Sequence, residues 1–134
     1  MVAEGDRARA HLHARGLREE TLRVWRIGFQ PQEGRRDPAD QWGFRADADG
    51  KPAWMRVPRG IVIPWLLDDQ LWQLKIRTNR QQPKYLAISG GHPCLFGADT
   101  LVMGEPAILT EGEFDALLLW QEAGDLVGIA TLRT

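Results

Sequence analysis

Glu111 and Asp115 are the residues whose types and spacing could do chemistry. They stand in the run Pro106-Ala-Ile-Leu-Thr-Glu-Gly-Glu-Phe-Asp-Ala-Leu-Leu-Leu-Trp120. Two carboxylates four residues apart, one before a helix and one in its first turns, can face one crevice. Such a pair suits Mg²⁺, which takes one or two carboxylates plus substrate phosphates. A structural account competes with this one. Thr110-x-x-Glu113 has the form of a capping box, and acids near a helix N-terminus are favoured by its dipole. That accounts for Thr110 and Glu113. It leaves Glu111-Gly112 and Asp115 without a reason.

Placing these acids requires a strand that runs straight into a helix. Ala107 to Leu109 are apolar and partly β-branched, which predicts a buried interior strand of a parallel sheet. Phe114, Leu117, Leu118 and Gln121 then follow helical spacing and predict a mostly apolar helix face. Glu111 falls at the carboxyl end of the strand, where open α/β sheets place their ligands. Gly124-Asp125 ends the helix, and Leu126 to Ala130 predict a second strand, giving β–α–β with a parallel crossover.

The chain has 134 residues, 43% hydrophobic and 26% charged, the composition of an ordinary globular chain. No apolar run approaches the ~20 residues of a membrane span, and the N-terminus lacks an apolar signal core. The single cysteine, Cys94, excludes an internal disulfide and a multi-Cys zinc site, and fits a reduced, cytoplasmic setting. The net charge of −1 hides an asymmetry: residues 1–84 carry +5 and residues 85–134 carry −6. Lys51, Arg56, Arg59, Lys75, Arg77, Arg80 and Lys84 fall in one stretch, opposed only by Asp68 and Asp69. A basic middle beside an acidic tail would hold a phosphate backbone next to a metal-binding carboxylate cluster. A solvated strand face would also carry such charges.

Upstream, residues 6–15 predict a helix with Asp6 as N-cap and Gly16 as stop. Residues 18–27 predict a second, ended by Gly28, so that 6–27 form an αα-hairpin. His11 and His13 point to different helix faces and are surface histidines rather than joint ligands. Residues 31–53, rich in Gly, Pro, Asp, Gln and Arg, predict a loop with a turn at Asp47-Ala-Asp49-Gly50. That turn lacks the later Glu of a calcium loop. Residues 60–67 and 71–77 predict a β-hairpin turning at Asp68-Asp69. Its second strand has an apolar side (Trp72, Leu74, Ile76) and a basic side (Gln73, Lys75, Arg77). Pro64 predicts an edge or a bulge. Residues 84–88 predict a short strand, and a turn or short helix leads on to Met103. The tryptophans are expected in core and lobe contacts.

Several of these pieces resemble a known family. Glu111-Gly112-x-x-Asp115 after an apolar strand is similar to the first half of a Toprim domain, shared by bacterial primases, topoisomerases and some nucleases. Arg15-Gly-Leu, Glu19-Glu-Thr-Leu22 and Ile27-Gly28 resemble the helical hairpin that opens the catalytic core of bacterial DnaG-type primases. Arg59-Gly-Ile-Val-Ile-Pro64, Lys75-Ile-Arg77, Pro83-Lys84-Tyr85-Leu86 and Leu95-Phe96-Gly97 resemble further pieces of that core, in the same order. Topoisomerases share the Toprim motif but lack the other pieces. The spacing is shorter than in cellular primases and looks like plasmid, phage or primase–helicase relatives. Arg18 stands where the family carries a capping Ser or Thr, and Arg133 where it carries Gly.

The resemblance implies an α+β amino-terminal lobe (1–104, with the helical hairpin 6–27 and a β-rich basic lobe 54–88), followed by a partial α/β Toprim (β-α-β) unit over 105–134. It implies metal-dependent nucleotidyl transfer, the synthesis of RNA primers on single-stranded DNA in replication. Glu111 and Asp115 would be the catalytic, Mg²⁺- or Mn²⁺-binding acids. Lys75, Arg77, Lys84 and Tyr85 would line the groove for single-stranded template or RNA–DNA hybrid, by cationic contact and stacking. Nucleoside triphosphates would be substrates, and a replicative helicase a partner in the full protein. No zinc site is expected in this chain, and the second acidic motif of Toprim, Asp-x-Asp, would lie beyond residue 134. One Glu and one Asp hold the metals of such a reaction poorly, so the 134-residue chain alone is expected to be inactive. A non-catalytic single-stranded nucleic-acid-binding module derived from a primase core is the alternative. Another Toprim enzyme, such as a nuclease, fits less well.

Overall fold

The computed structural model describes residues 4–45, 49–50 and 53–132. Asp47 of the expected turn and Arg133 lie outside them. Its centre is a four-stranded antiparallel sheet in the order β1-β4-β5-β6: Gly28–Gln30, Gly60–Leu67, Gln70–Arg77 and Tyr85–Ala87. The β4–β5 hairpin turns at Asp68 and Asp69, both with positive φ (51° and 61°), as a two-residue type I′ turn requires. Both carboxylate oxygens of Asp99 accept from the Asp68 amide at 3.1 Å, holding that turn. β1 reaches only Gly60 to Val62. Pro64 therefore lies where β4 has a neighbour on one side alone, and the register shifts just after it, between Trp65 and Leu66. Both expectations for Pro64 hold, because a missing N–H is tolerated at an open side or a bulge.

Both faces of this sheet are covered. On one face Ile61, Ile63 and Trp65 pack with Leu12, Leu17, Leu22, Phe96, Phe114, Leu117 and Ile129. On the other, Ile76 packs with Ala39, Met55, Val57 and Ile88. The register places Arg77 opposite Ile61 and Lys75 opposite Ile63. The basic side of β5 thus shares its face with the larger core. The alternation expected from the sequence is correct, but neither side is an open surface along its whole length.

The helical hairpin is α1 (Glu4–Ala14) and α2 (Glu19–Val24). α1 begins before Asp6, so that residue is not its cap. α2 is shorter than expected: it ends at Trp25, Arg26 takes positive φ (55°), and Gly28 opens β1 instead of closing the helix. The 31–53 region is not all loop. β2 (Arg35–Pro38) pairs antiparallel with β3 (Trp54–Val57), and a single-turn helix spans Ala39–Trp42. A Pro- and Arg-rich strand of four residues carries no apolar alternation for a sequence reading to detect. Its partner supplies the buried side chains, Met55 and Val57.

Downstream, β7 (Ala107–Thr110), α3 (Glu113–Ala123) and β8 (Gly128–Thr131) form a parallel β–α–β unit. β8 is buried throughout. β7 corrects the expected interior strand: Ile108 and Leu109 are 39% and 50% exposed, because among the described residues β7 pairs only with β8 and its other edge has no neighbouring strand. A glycine fixes the approach to β8. Gly97 has φ +83°, and a Cβ there would stand 2.3 Å from the Ile129 carbonyl oxygen, which only glycine avoids.

Candidate catalytic and nucleic-acid-binding site

β7 ends at Thr110, whose carbonyl accepts from the Leu132 amide at 2.7 Å. The Thr110 hydroxyl donates to the Gly112 carbonyl at 3.0 Å, so it does not cap the helix. The helix N-cap is Gly112, with no side-chain cap, and the expected capping box does not form. Glu111 and Asp115 are both exposed. Among the described residues neither makes a hydrogen bond or ion pair. Gly112 lies beside Asp115: a Cβ there would sit 3.9 Å from Asp115 Oδ2. Two free carboxylates at a strand's carboxyl end suit a hard cation that keeps most of its ligands from water and phosphate. The described residues contain no group of three or more His, Cys, Asp or Glu that could hold a metal ion.

Glu113, between them, is withdrawn from solvent at 6% exposure. It accepts from Lys75 Nζ at 3.0 Å. The same ammonium lies 4.3 Å from the centre of the Trp65 ring, a cation–π contact. Lys75, assigned from the sequence to the nucleic-acid groove, is thus held between a buried carboxylate and a buried indole.

Arg77 is placed differently. Its guanidinium lies 5.3 Å from the Phe114 ring and 5.8 Å from the Tyr85 ring. Arg15, at the end of the helical hairpin's first arm, lies 5.0 Å from the same Phe114 ring. Arg77 Nη1 is buried without a hydrogen-bond partner. The Tyr85 ring is partly exposed, and its phenol is pushed above the ordinary value, chiefly by burial. Glu113 and Asp115 add to that rise while Arg77 and Arg15 oppose it. Tyr85 therefore lies within electrostatic reach of Glu113 and Asp115.

Arg77 also lines a cleft of about 430 Å³ between α1 and the ends of β4 and β5, together with Arg7, His11, Arg59, Arg80 and Lys84. Arg59 is paired with Glu4, and Arg80 with Glu33 at 2.9 Å. Lys84 is exposed and makes no ion pair among the described residues. The His11 imidazole is held below its usual pKa, first by burial and then by Arg77 and Arg15. The structure brings Arg77, Lys84 and Tyr85 to one end of the sheet.

A solved structure with a similar fold is that of the zinc-binding and RNA polymerase domains of Aquifex aeolicus primase. The TM-score is 0.64 at 17% identity, over 96% of this chain and 37% of that one. The fold is primase-like. This chain spans little more than a third of that primase structure's length. No protein-family model matches the sequence, and no curated protein does.

The primase-like frame contains contacts that local spacing did not announce. Gln121, on the third turn of α3, accepts from the Arg18 amide and the Thr21 hydroxyl, both at 2.8 Å, and donates to the Gly16 carbonyl at 2.9 Å. It ties the residue before α2, and Thr21 within α2, to α3. Arg18 also reaches Glu122 at 2.6 Å. The only sequence signal for Gln121 was a polar residue at an otherwise apolar helix position.

Proposed function

We propose that this chain is the amino-terminal lobe and first half of the Toprim unit of a DnaG-type primase catalytic core. In that role it serves metal-dependent synthesis of RNA primers on single-stranded DNA. The observation that carries the reading is a primase-like fold that pairs Arg77 with Tyr85 beside a basic cleft and leaves the Glu111 and Asp115 carboxylates exposed at its strand-to-helix junction. A bound Mg²⁺ or Mn²⁺ would be held by Glu111 and Asp115 and would stabilise the charge of the oxygens around the transferred phosphate. Arg77 and Lys84 would hold template phosphates, and Tyr85 would offer its exposed ring edge or hydroxyl to a nucleotide. Lys75 would act indirectly, by fixing Glu113 and hence the start of α3. Nucleoside triphosphates are the substrates in this reading, and a replicative helicase a partner of the whole protein.

The test combines two measurements. Fluorescence anisotropy of labelled single-stranded DNA should show binding that weakens steeply with salt and is lost in Arg77→Ala/Lys84→Ala. Mn²⁺ should broaden the amide resonances of Glu111, Gly112 and Asp115, and Glu111→Gln should abolish that effect. Binding of DNA with no Mn²⁺ effect favours the second reading, a non-catalytic single-strand-binding module. Failure of both measurements removes the primase reading.

A further inference from the structure

The outer face of the β2–β3 hairpin carries an arrangement that folding alone does not explain. The register sets Arg36 directly opposite Arg56, and Pro38 opposite Trp54. These four share the face turned away from Met55 and Val57, which are buried in the smaller core. Both arginines are exposed, and neither has an ion pair among the described residues. Like charges directly opposite on an antiparallel ladder are destabilising, and this ladder is only four residues long. The same hairpin neutralises its other cation: Arg35 is bonded to Asp37 at 3.0 Å, and Asp37 also accepts from Trp42 Nε1 at 3.2 Å. Trp54 is 53% exposed, whereas none of the other five tryptophans is among the exposed hydrophobics.

Two unneutralised cations call for an anion, and an open indole beside them calls for a flat ring. Trp54 and Arg56 are two residues apart on one face of a strand, about 7 Å, within reach of a base and its neighbouring phosphate. The four side chains of this face named above include no amide or carboxylate to read base edges. A single strand offers accessible base faces for such sequence-tolerant stacking, which the stacked bases of a duplex do not. We propose that this face is a second contact for single-stranded nucleic acid, with Trp54 stacking on a base and Arg36 and Arg56 holding the adjoining phosphates. It lies across the sheet from α3, since Ile76 faces the hairpin while Lys75 and Arg77 face α3. The proposal rests on the reading of the chain as a nucleic-acid-binding protein but names none of the cleft residues.

The experiment measures oligo(dT) affinity against salt for the whole chain, for Arg36→Ala/Arg56→Ala and for Trp54→Ala. Loss of two phosphate contacts should lower the slope of log K against log salt by about 1.4. Arg36→Glu, which creates an opposite-charge pair with Arg56, should melt at an equal or higher temperature yet bind more weakly. With 5-fluorotryptophan incorporated, the fluorine resonance assigned to Trp54 through Trp54→Phe should shift on adding oligo(dT). An unchanged slope and an unmoved Trp54 resonance, in variants that melt normally, overturn the proposal. So does a Trp54 shift with polyglutamate but not with oligo(dT), which would mark an acidic polypeptide as the occupant. Loss of binding only in Arg77→Ala/Lys84→Ala leaves the cleft standing and removes the hairpin contact. The converse result removes the cleft and leaves the hairpin.

Discussion

Lys75→Met should cost about 3 kcal/mol of folding stability. The reasoning starts from Glu113, which is 6% exposed and bonded to Lys75 Nζ at 3.0 Å. Removing one partner of a buried pair leaves the other charge uncompensated, typically a loss of roughly 3–5 kcal/mol. The Lys75 side chain is 16% exposed, so water screens it in part and the lower end applies. Glu113→Leu should cost a similar amount, since it strands the ammonium over Trp65. The double variant, with both charges replaced by apolar groups, should lie within about 1 kcal/mol of the parent, because paired removal is often neutral or stabilising. The assay is urea unfolding of the four proteins at neutral pH, with equal m-values required for comparison. Two single losses of about 3 kcal/mol and a near-neutral double variant correspond to a coupling energy of about 6 kcal/mol. A coupling below about 0.5 kcal/mol, the range in which independent sites add, would refute the reasoning and return Lys75 to the groove as a free cation. The folded double variant gives a second reading of that point. If Lys75 holds no phosphate, its salt slope for oligo(dT) matches the parent, whereas one lost contact would lower it by about 0.7.

Gln121→Ala should destabilise by about 1 kcal/mol, since it removes the hydrogen bonds that tie α3 to the start of α2 and leaves the Arg18 amide and Gly16 carbonyl without that partner. Urea unfolding measures the loss, and faster amide exchange at Arg18 would locate it; no change would mean that water replaces Gln121 freely. Tyr85 is the only tyrosine, so tyrosinate absorbance reports it alone. Its midpoint should lie above 10.0, raised mainly by burial, and Arg77→Ala should raise it further by removing an opposing cation. A raised pKa in the folded state means that the unfolded chain loses this proton first as pH rises. The contribution is therefore complete below the unfolded value and is lost as pH climbs through the folded one. That alkaline loss should be absent in Tyr85→Phe, and a midpoint at or below the ordinary value would contradict the partly desolvated placement of the phenol.

Period-two alternation made β4, β5 and their turn legible, and the strand-to-helix switch at Glu111 to Glu113 was legible from the change of period. What local pattern could not carry was which face would be covered. Gln73, Lys75 and Arg77 alternate as an exposed basic side would, yet that face meets α3, some forty residues on. The same limit hid Glu113. An acid in the first turn of a helix is ordinarily explained by the dipole, and only the sheet register, Ile63 opposite Lys75, shows that a lysine stands across from it. β2 was missed because Arg35–Pro38 has no apolar members at all. β7 was misread because an apolar strand looks the same whether its neighbours are present or not.

α3 holds the start of α2 in place although Arg18 offers no side-chain cap. The start of α2 is tied to α3 from a distance, by Gln121 on the Arg18 amide and the Thr21 hydroxyl. The same helix takes Lys75 through Glu113 in its first turn and both Arg15 and Arg77 through Phe114. Three cations drawn from the helical hairpin and from β5 are thereby ordered around one helix start, with one carboxylate to offset them and two left free. A substitution that tilts α3 would displace all of them together. For that reason the apolar side of α3, Phe114 and Leu117 at 2% and 0% exposure, governs the charge geometry of the site as directly as the charged residues do.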